Sequence, residues 1–203
     1  MLLHGWGASG DDLVPLARTL AGPGTRFLVP AAPLAESNGG RAWWHFHGGN
    51  RPPHAWKDEL PAGHHANAQV TAARQAVQAL LRDAKRQYAP ESIAIAGFSQ
   101  GAMLALDVAL AADPAIDRVA VLSGVLLADS LALLHASASE GPRPAVFIAH
   151  GSSDAVVPFR AAESIPLILE PRGYRVTWAP FDGGHEIPRE VVSRLREFLF
   201  AVP

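Results

Sequence analysis

Ser92-Ile93-Ala94-Ile95-Ala96-Gly97-Phe98-Ser99-Gln100-Gly101-Ala102-Met103-Leu104-Ala105-Leu106-Asp107-Val108-Ala109-Leu110 changes its periodicity in the middle. Residues 92–96 form a short apolar run of strand length, residues 97–101 form a G-x-S-x-G turn, and residues 102–110 carry a helical pattern. A strand, a tight turn and a helix in that order hold the central serine in a strained backbone conformation and lift its hydroxyl above the sheet. The glycines on either side remove volume where strand and helix nearly touch. A serine held in this way is placed to attack a carbonyl carbon.

Outward from this stretch, short β-like runs alternate with longer helical patterns. Residues 25–29 are expected to form a strand ahead of Pro30, as are 118–122, 145–149 and 176–179. None of these runs alternates strictly, which suits parallel strands covered on both faces. Residues 67–88 set Val70, Ala73, Val77, Leu80, Leu81 and Ala84 on one helical stripe. Asp11 or Asp12 is expected to cap an early helix with the stripe Leu13, Leu16, Ala17 and Leu20. A further helix over about 159–170 is expected to bend at Pro166 and stop at Gly173. The last one starts near Pro188 and buries Val191, Val192, Leu195, Phe198 and Leu199. Together these patterns predict a single α/β domain over residues 1–203, with a mostly parallel central sheet and helices on both faces.

The bulk properties narrow the partners. At 203 residues the chain can bury a sizeable core, and 49% of it is hydrophobic against 18% charged. Its net charge of −2 gives no electrostatic case for nucleic acid. It has no cysteine, which removes disulfides, thiolate metal sites and a cysteine nucleophile. No apolar stretch approaches the roughly 18 residues of a membrane span. Met1-Leu2-Leu3-His4-Gly5 lacks the basic start and long apolar core of a signal peptide, so the expected location is cytoplasmic.

In open α/β sheets, ligands gather at the carboxyl ends of the strands. Four polar loops should open there: His4-Gly5-Trp6-Gly7, the Ser99 turn, His150-Gly151-Ser152-Ser153-Asp154, and Asp182-Gly183-Gly184-His185. An alcohol needs a base within hydrogen-bond reach, and that base needs an orienting carboxylate. The chain order Ser99, Asp154, His185 is the order used by α/β-hydrolases. Ser99 is therefore the expected nucleophile, His185 the general base and then acid, and Asp154 the orienter of the imidazole. Asp182 rivals Asp154, although its place beside Gly183 suits a turn residue. The oxyanion needs preorganised donors, which the backbone N–H groups of Gln100 and Trp6 would supply.

Leu3-His4-Gly5-Trp6-Gly7, residues 97–102, Leu122-Ser123-Gly124, His150-Gly151 through Asp154 to Val157-Pro158, and Gly184-His185 together resemble the phospholipase/carboxylesterase family of α/β-hydrolases, which includes the acyl-protein thioesterases. The resemblance spans nearly the whole chain. It implies an α/β-hydrolase fold and metal-free, cofactor-free hydrolysis of carboxylic esters or thioesters through an acyl-enzyme. It carries over Ser99, Asp154 and His185 as the triad, with Trp6 and Gln100 as oxyanion donors. The expected substrate is a small-molecule or lipid-like acyl ester, and the protein a monomer or homodimer. The family usually has two strands ahead of its His-Gly loop. Here Met1 stands three residues before His4, so N-terminal strands are expected to be missing or lost. A second departure is Trp43-Trp44-His45-Phe46, where similar proteins carry a Trp-aromatic-Asp run lining the acyl site.

Other residues have plainer readings. Trp43, Trp44, Phe46 and Trp56 either form an acyl-binding wall or anchor a long loop to the core. His45, His47, His54, His64 and His65 crowd one segment, but it has no helical His-x-x-x-His pair and is rich in Gly and Pro, which suits an irregular rim better than a metal site. His4 and His150 are expected to be hydrogen-bonding residues of the scaffold, and Ser123 to pack behind the site. Two other functions share the scaffold: a catalytically weak ligand-binding protein and a serine peptidase.

Overall fold

The computed structural model describes residues 1–45, 68–111, 115–136 and 142–201. The central sheet has five strands, β1 (Leu2–Leu3), β4 (Ala94–Phe98), β5 (Arg118–Leu122), β6 (Ala145–Gly151) and β7 (Val176–Phe181), lying side by side in that order. All neighbouring pairs are parallel, so every strand ends at the same edge. Parallel neighbours need long crossovers. Here helices supply them: α3 (Gln100–Leu110) joins β4 to β5, α4 (Ala128–Ala136) joins β5 to β6, and α5 (Phe159–Leu169) joins β6 to β7. Helix α2 (Ala68–Tyr88) precedes β4, α6 (Arg189–Phe200) follows β7, and α1 (Val14–Leu20) is entered through a 3-10 turn at Asp11–Leu13. A small antiparallel pair, β2 (Leu34–Ala35) and β3 (Arg41–Ala42), lies outside the main sheet.

The strands feed two cores in alternation, because successive side chains of a strand point to opposite faces. Ile95, Val119, Val121, Val146 and Ile148 face the layer containing α2, α3 and α5. Ala96, Ala120, Leu122, Phe147 and Ala149 face the layer containing α1 and α6. Helix α3 is buried at all of its residues, including Asp107. That buried charge is tied to its neighbours: Arg74 of α2 donates to both carboxylate oxygens at 2.9 and 3.2 Å, and Ser130 of α4 donates at 2.8 Å. Burial pushes the Asp107 pKa up, against the opposing bonds from Ser130 and Arg74.

Several expectations are adjusted. Residues 25–29 are not a strand; the Leu28 carbonyl instead accepts the Leu2 N–H at 2.8 Å, alongside a β1 too short to template a ladder. Strand β4 runs on through Gly97 and Phe98, so the turn narrows to Ser99 itself. Asp12 accepts a hydrogen bond from Gly10 N–H at 3.2 Å, and neither acid caps the helix ahead of it. Helix α5 continues through Pro166, and Gly173 ends the following 3-10 turn in the left-handed conformation at φ 80°. Pro188 precedes α6 as its N-cap residue. No helix among the described residues is long and apolar enough to cross a membrane.

Gly101 fixes how closely α3 approaches β1, since a Cβ there would overlap the carbonyl oxygens of Leu3 and His4. Backbone cannot yield as a flexible side chain can. Gly101→Ala is therefore expected to lower stability by about 3 kcal/mol or more, while Gly184→Ala, with open space around its Cβ, changes it by less than about 0.5 kcal/mol. Urea denaturation of the two variants checks this pair of expectations.

Candidate active site

Ser99 sits between the end of β4 and the start of α3 with φ 53° and ψ −119°, outside the regions an L-residue favours. Such a conformation costs on the order of 1–3 kcal/mol and persists only where its surroundings over-determine it. They do so here. The Ser99 N–H donates to the Leu122 carbonyl at 2.9 Å, and its carbonyl accepts from Ala102 and Met103 at 3.0 and 3.2 Å. A Cβ on Gly97 would overlap the Gly101 carbonyl, so the strand and helix can meet only without side chains at these positions.

The loops after β6 and β7 bring Asp154 and His185 together. Gly151 makes this possible, because a Cβ there would overlap the carbonyls of Gly183 and Gly184. Ser152 and Ser153 N–H groups then donate across to Phe181 and Gly183 carbonyls, both at 2.9 Å. His185 Nδ1 donates to Asp154 Oδ2 at 2.8 Å. That tautomer leaves Nε2 as the ring's basic nitrogen. The His185 ring lies against Phe98, with centroids 4.8 Å apart, and so beside the residue preceding Ser99. Asp182 turns elsewhere: its Oδ1 lies 3.4 Å from Ser152 Oγ.

The Asp154 side chain is fully buried. Burial by itself raises its pKa, but donors from His150, His185 and the amides of Val157 and Val156 outweigh that and hold the carboxyl well below the usual carboxylate range. The two amides donate to Oδ1, each at 2.8 Å. The carboxylate thus stays charged and fixed in orientation.

The His-Gly loop flanks the elbow. A Cβ on Gly5 would stand 3.3 Å from Ser99 Cβ. His4 is buried, donates from Nδ1 to the Gly5 carbonyl at 2.7 Å and accepts the Ala32 N–H at Nε2 at 2.9 Å. The small hairpin holds the far side of the loop: Gly7 N–H donates to the Arg41 carbonyl at 2.9 Å, and Arg41 N–H to Ala8 at 3.0 Å. Trp6 itself is partly exposed, and its indole N–H donates to Glu36 at 3.0 Å; the same Glu36 oxygen lies 3.0 Å from His45 Nδ1. Gln100 opens α3, where backbone N–H groups lack intrahelical acceptors and the helix dipole is positive.

The side chain of Gln100 has a structural role that the sequence did not indicate. It is buried, accepts the Trp43 N–H at 2.9 Å and donates to the Trp44 carbonyl at 2.8 Å. Trp43 also donates from its indole to the His4 carbonyl at 2.9 Å. Trp43 and Trp44 are each 3% exposed and belong to the core, which suits the anchoring role. Phe46, Trp56 and the histidines His47, His54, His64 and His65 lie outside the described residues. Sequence reasoning also missed Glu36, which sits on a two-residue strand with no periodicity to find, and the contact of His150 with Asp154, which only the fold brings about.

Comparison with known proteins agrees with this architecture. The phospholipase/carboxylesterase family profile matches residues 1–202. A protein of Oryza sativa subsp. japonica named as a probable carboxylesterase is 28% identical over 207 aligned residues, covering 97% of this chain and 74% of its own. The crystal structure of esterase PE8 superposes with a TM-score of 0.80 at 28% identity, covering 98% of this chain and 89% of its own. SOBER1 of Arabidopsis thaliana shares the fold, with a TM-score of 0.80 at 23% identity over 98% of this chain and 95% of its own. With a parallel sheet, a strained serine after its second strand and a family match along its length, the chain belongs to the phospholipase/carboxylesterase family of α/β-hydrolases.

Proposed function

We propose that this protein is a serine hydrolase that cleaves carboxylic esters through an acyl-enzyme, with Ser99 as nucleophile, His185 as general base and acid, and Asp154 as orienter. What supports this reading is the 2.8 Å bond from His185 Nδ1 to a buried, four-donor Asp154 carboxylate, with the imidazole against Phe98, the residue before a serine held at positive φ. His185 Nε2 takes the Ser99 hydroxyl proton as Oγ attacks the carbonyl carbon. The electron pair moves onto the carbonyl oxygen, which the N–H groups of Trp6 and Gln100 receive. When the tetrahedral species collapses, His185 returns the proton to the leaving oxygen. Water then repeats the sequence on the acyl-enzyme and releases the acid. All of these groups belong to the protein, and none of the steps calls for a metal or cofactor.

The substrate class is a small-molecule or lipid-like acyl ester. Thioesters are open to the same chemistry, because a thiolate leaves more readily than an alkoxide. A stretch of 112 residues, 54% of this chain and 48% of the relative, is 29% identical to "Acyl-protein thioesterase 1" of Gibberella zeae. Trp43 and Trp44, through their bonds to Gln100, shape the site from behind.

A p-nitrophenyl ester of short acyl chain should show a burst of product equal to the enzyme, followed by slower turnover. Ser99→Ala should lower kcat by at least about 10⁴-fold and abolish fluorophosphonate labelling. Asp154→Asn should lower kcat by about 10³–10⁴-fold, and Asp182→Asn by less than about twofold. Labelling and turnover that survive Ser99→Ala would defeat the assignment of the nucleophile. Greater damage from Asp182→Asn than from Asp154→Asn would defeat that of the orienter.

The charge on Asp154 also predicts a pH dependence of folding. Its folded-state pKa is lowered, so the stability it contributes is fully present above the unfolded carboxylate value of about 4 and is lost as pH falls toward the folded value. The stability advantage of the wild type over Asp154→Asn, measured by urea denaturation, should shrink as pH falls below about 4.

A further inference from the structure

His150 places a second imidazole against the carboxylate of Asp154. It is the penultimate residue of β6, opposite Pro180 of β7, and its side chain is fully buried. Its Nε2 lies 2.9 Å from the Val157 carbonyl oxygen and 3.1 Å from Asp154 Oδ2. Both neighbours are acceptors, so Nε2 carries the ring proton and shares it between them. Nδ1 is buried and has no hydrogen-bond partner among the described residues. A second proton there would be an N–H buried without an acceptor among the described residues, so Nε2 is the ring's donor.

The arrangement is a closed loop of contacts. Val157 gives its N–H to Asp154 Oδ1 at 2.8 Å, and its carbonyl receives the His150 N–H. His150 therefore fixes both the carboxylate and the segment that cradles it, from a rigid strand. Phe159 walls the ring edge-on, with centroids 6.1 Å apart. An apolar side chain could fill this space without burying a bare nitrogen, so packing alone does not account for an imidazole here.

We propose that His150 is a positioning residue for the hydrolytic reaction: it holds Asp154 Oδ2 where it accepts the His185 Nδ1–H, and it limits how much of the carboxylate's charge His185 receives. This rests on the triad reading above. Among the described residues, the groups facing Asp154 are His150, His185 and the amides of Val156 and Val157. Those facing or flanking His185 are Asp154, the Phe98 ring, and Asp182 and Glu186 on its own segment, with Glu186 turned to the Gly184 N–H at 3.2 Å. Of the carboxylates among them, Asp154 is the one bonded to the ring, so a change at His150 reaches His185 through Asp154.

Removing the donor leaves more of the Asp154 charge for His185 and favours its protonated form. In His150→Leu, the acidic limb of the kcat/KM profile against pH is expected to move to higher pH by on the order of half a unit, and plateau kcat to fall about tenfold as the carboxylate loses its fixed place. His150→Gln, whose amide nitrogen reaches the same position, is expected to return both toward the wild type. A folded His150→Leu with an unmoved limb, or equal losses in the Leu and Gln variants without a shift, would overturn the proposal in favour of a packing role.

Nitrogen-edited NMR of the wild-type protein tests the same point without a substitution. His150 is expected to show the tautomer protonated at Nε2, with that resonance shifting over the pH range in which His185 titrates. An Nδ1–H tautomer, or a resonance indifferent to His185, would overturn it. The triad reading fails separately, if Ser99→Ala or Asp154→Asn retains turnover close to that of the wild type.

Discussion

The backbone at Ser99 is the constraint on which the rest depends. A non-glycine residue at φ 53° and ψ −119° does not stay there by its own preference. It is held by a hydrogen bond to β5, by two bonds into the first turn of α3, and by glycines at positions 97 and 101 that let strand and helix close on each other. The same closeness brings the Leu3 and His4 carbonyls against Gly101, so the loop carrying Trp6 and the helix opened by Gln100 meet at one point. The strained backbone of Ser99 and the meeting of these two segments are therefore consequences of a single packing event.

That event needs a firm floor. Helix α3 is buried along its whole length, between the sheet and the helices α2 and α4, and its one charge is tied to both helices through Arg74 and Ser130. A buried ion pair of this kind adds little net stability, yet losing one partner costs about 3–5 kcal/mol because the other charge is stranded. The Asp107 carboxylate thereby links three helices around the elbow. At the other end of the sheet, side-chain-free contact between Gly151 and the 183–184 backbone brings His185 to Asp154. The two halves of the site are built alike, with close backbone approach first and polar groups delivered by it.

Much of this was legible in the sequence, for physical reasons. Residues 118–122 and 145–149 announce themselves as apolar runs because parallel strands are covered on both faces. The stripe of Val70, Ala73, Val77 and Leu81 has helical spacing because one side of α2 meets the core, whereas Leu80, expected on the same stripe, is exposed beyond its edge. Ser99, Asp154 and His185 stand out through their order and their places after strands. Other parts left no periodic trace. The two-residue strands at 34–35 and 41–42 are too short for a pattern, yet they clamp the Trp6 loop. Helix α4, apolar on nearly every side, lacks an amphipathic stripe to mark it. Residues 25–29 have strand composition, yet their backbone reaches β1 through the bond from Leu2 N–H to the Leu28 carbonyl, without a ladder. The Gln100 side chain and His150 look ordinary in sequence, and acquire meaning only when the fold sets them against Trp43, Trp44 and Asp154.

The central claim is that one tight contact between the His-Gly loop and the start of α3 builds the oxyanion site beside an activated Ser99. A crystal structure of the protein after reaction with a fluorophosphonate tests it most directly. The expected adduct has a covalent bond from phosphorus to Ser99 Oγ, with the phosphoryl oxygen within hydrogen-bond distance of both the Trp6 and Gln100 backbone N–H groups. A phosphonyl group on another residue, or one on Ser99 whose oxygen meets neither N–H, would contradict it.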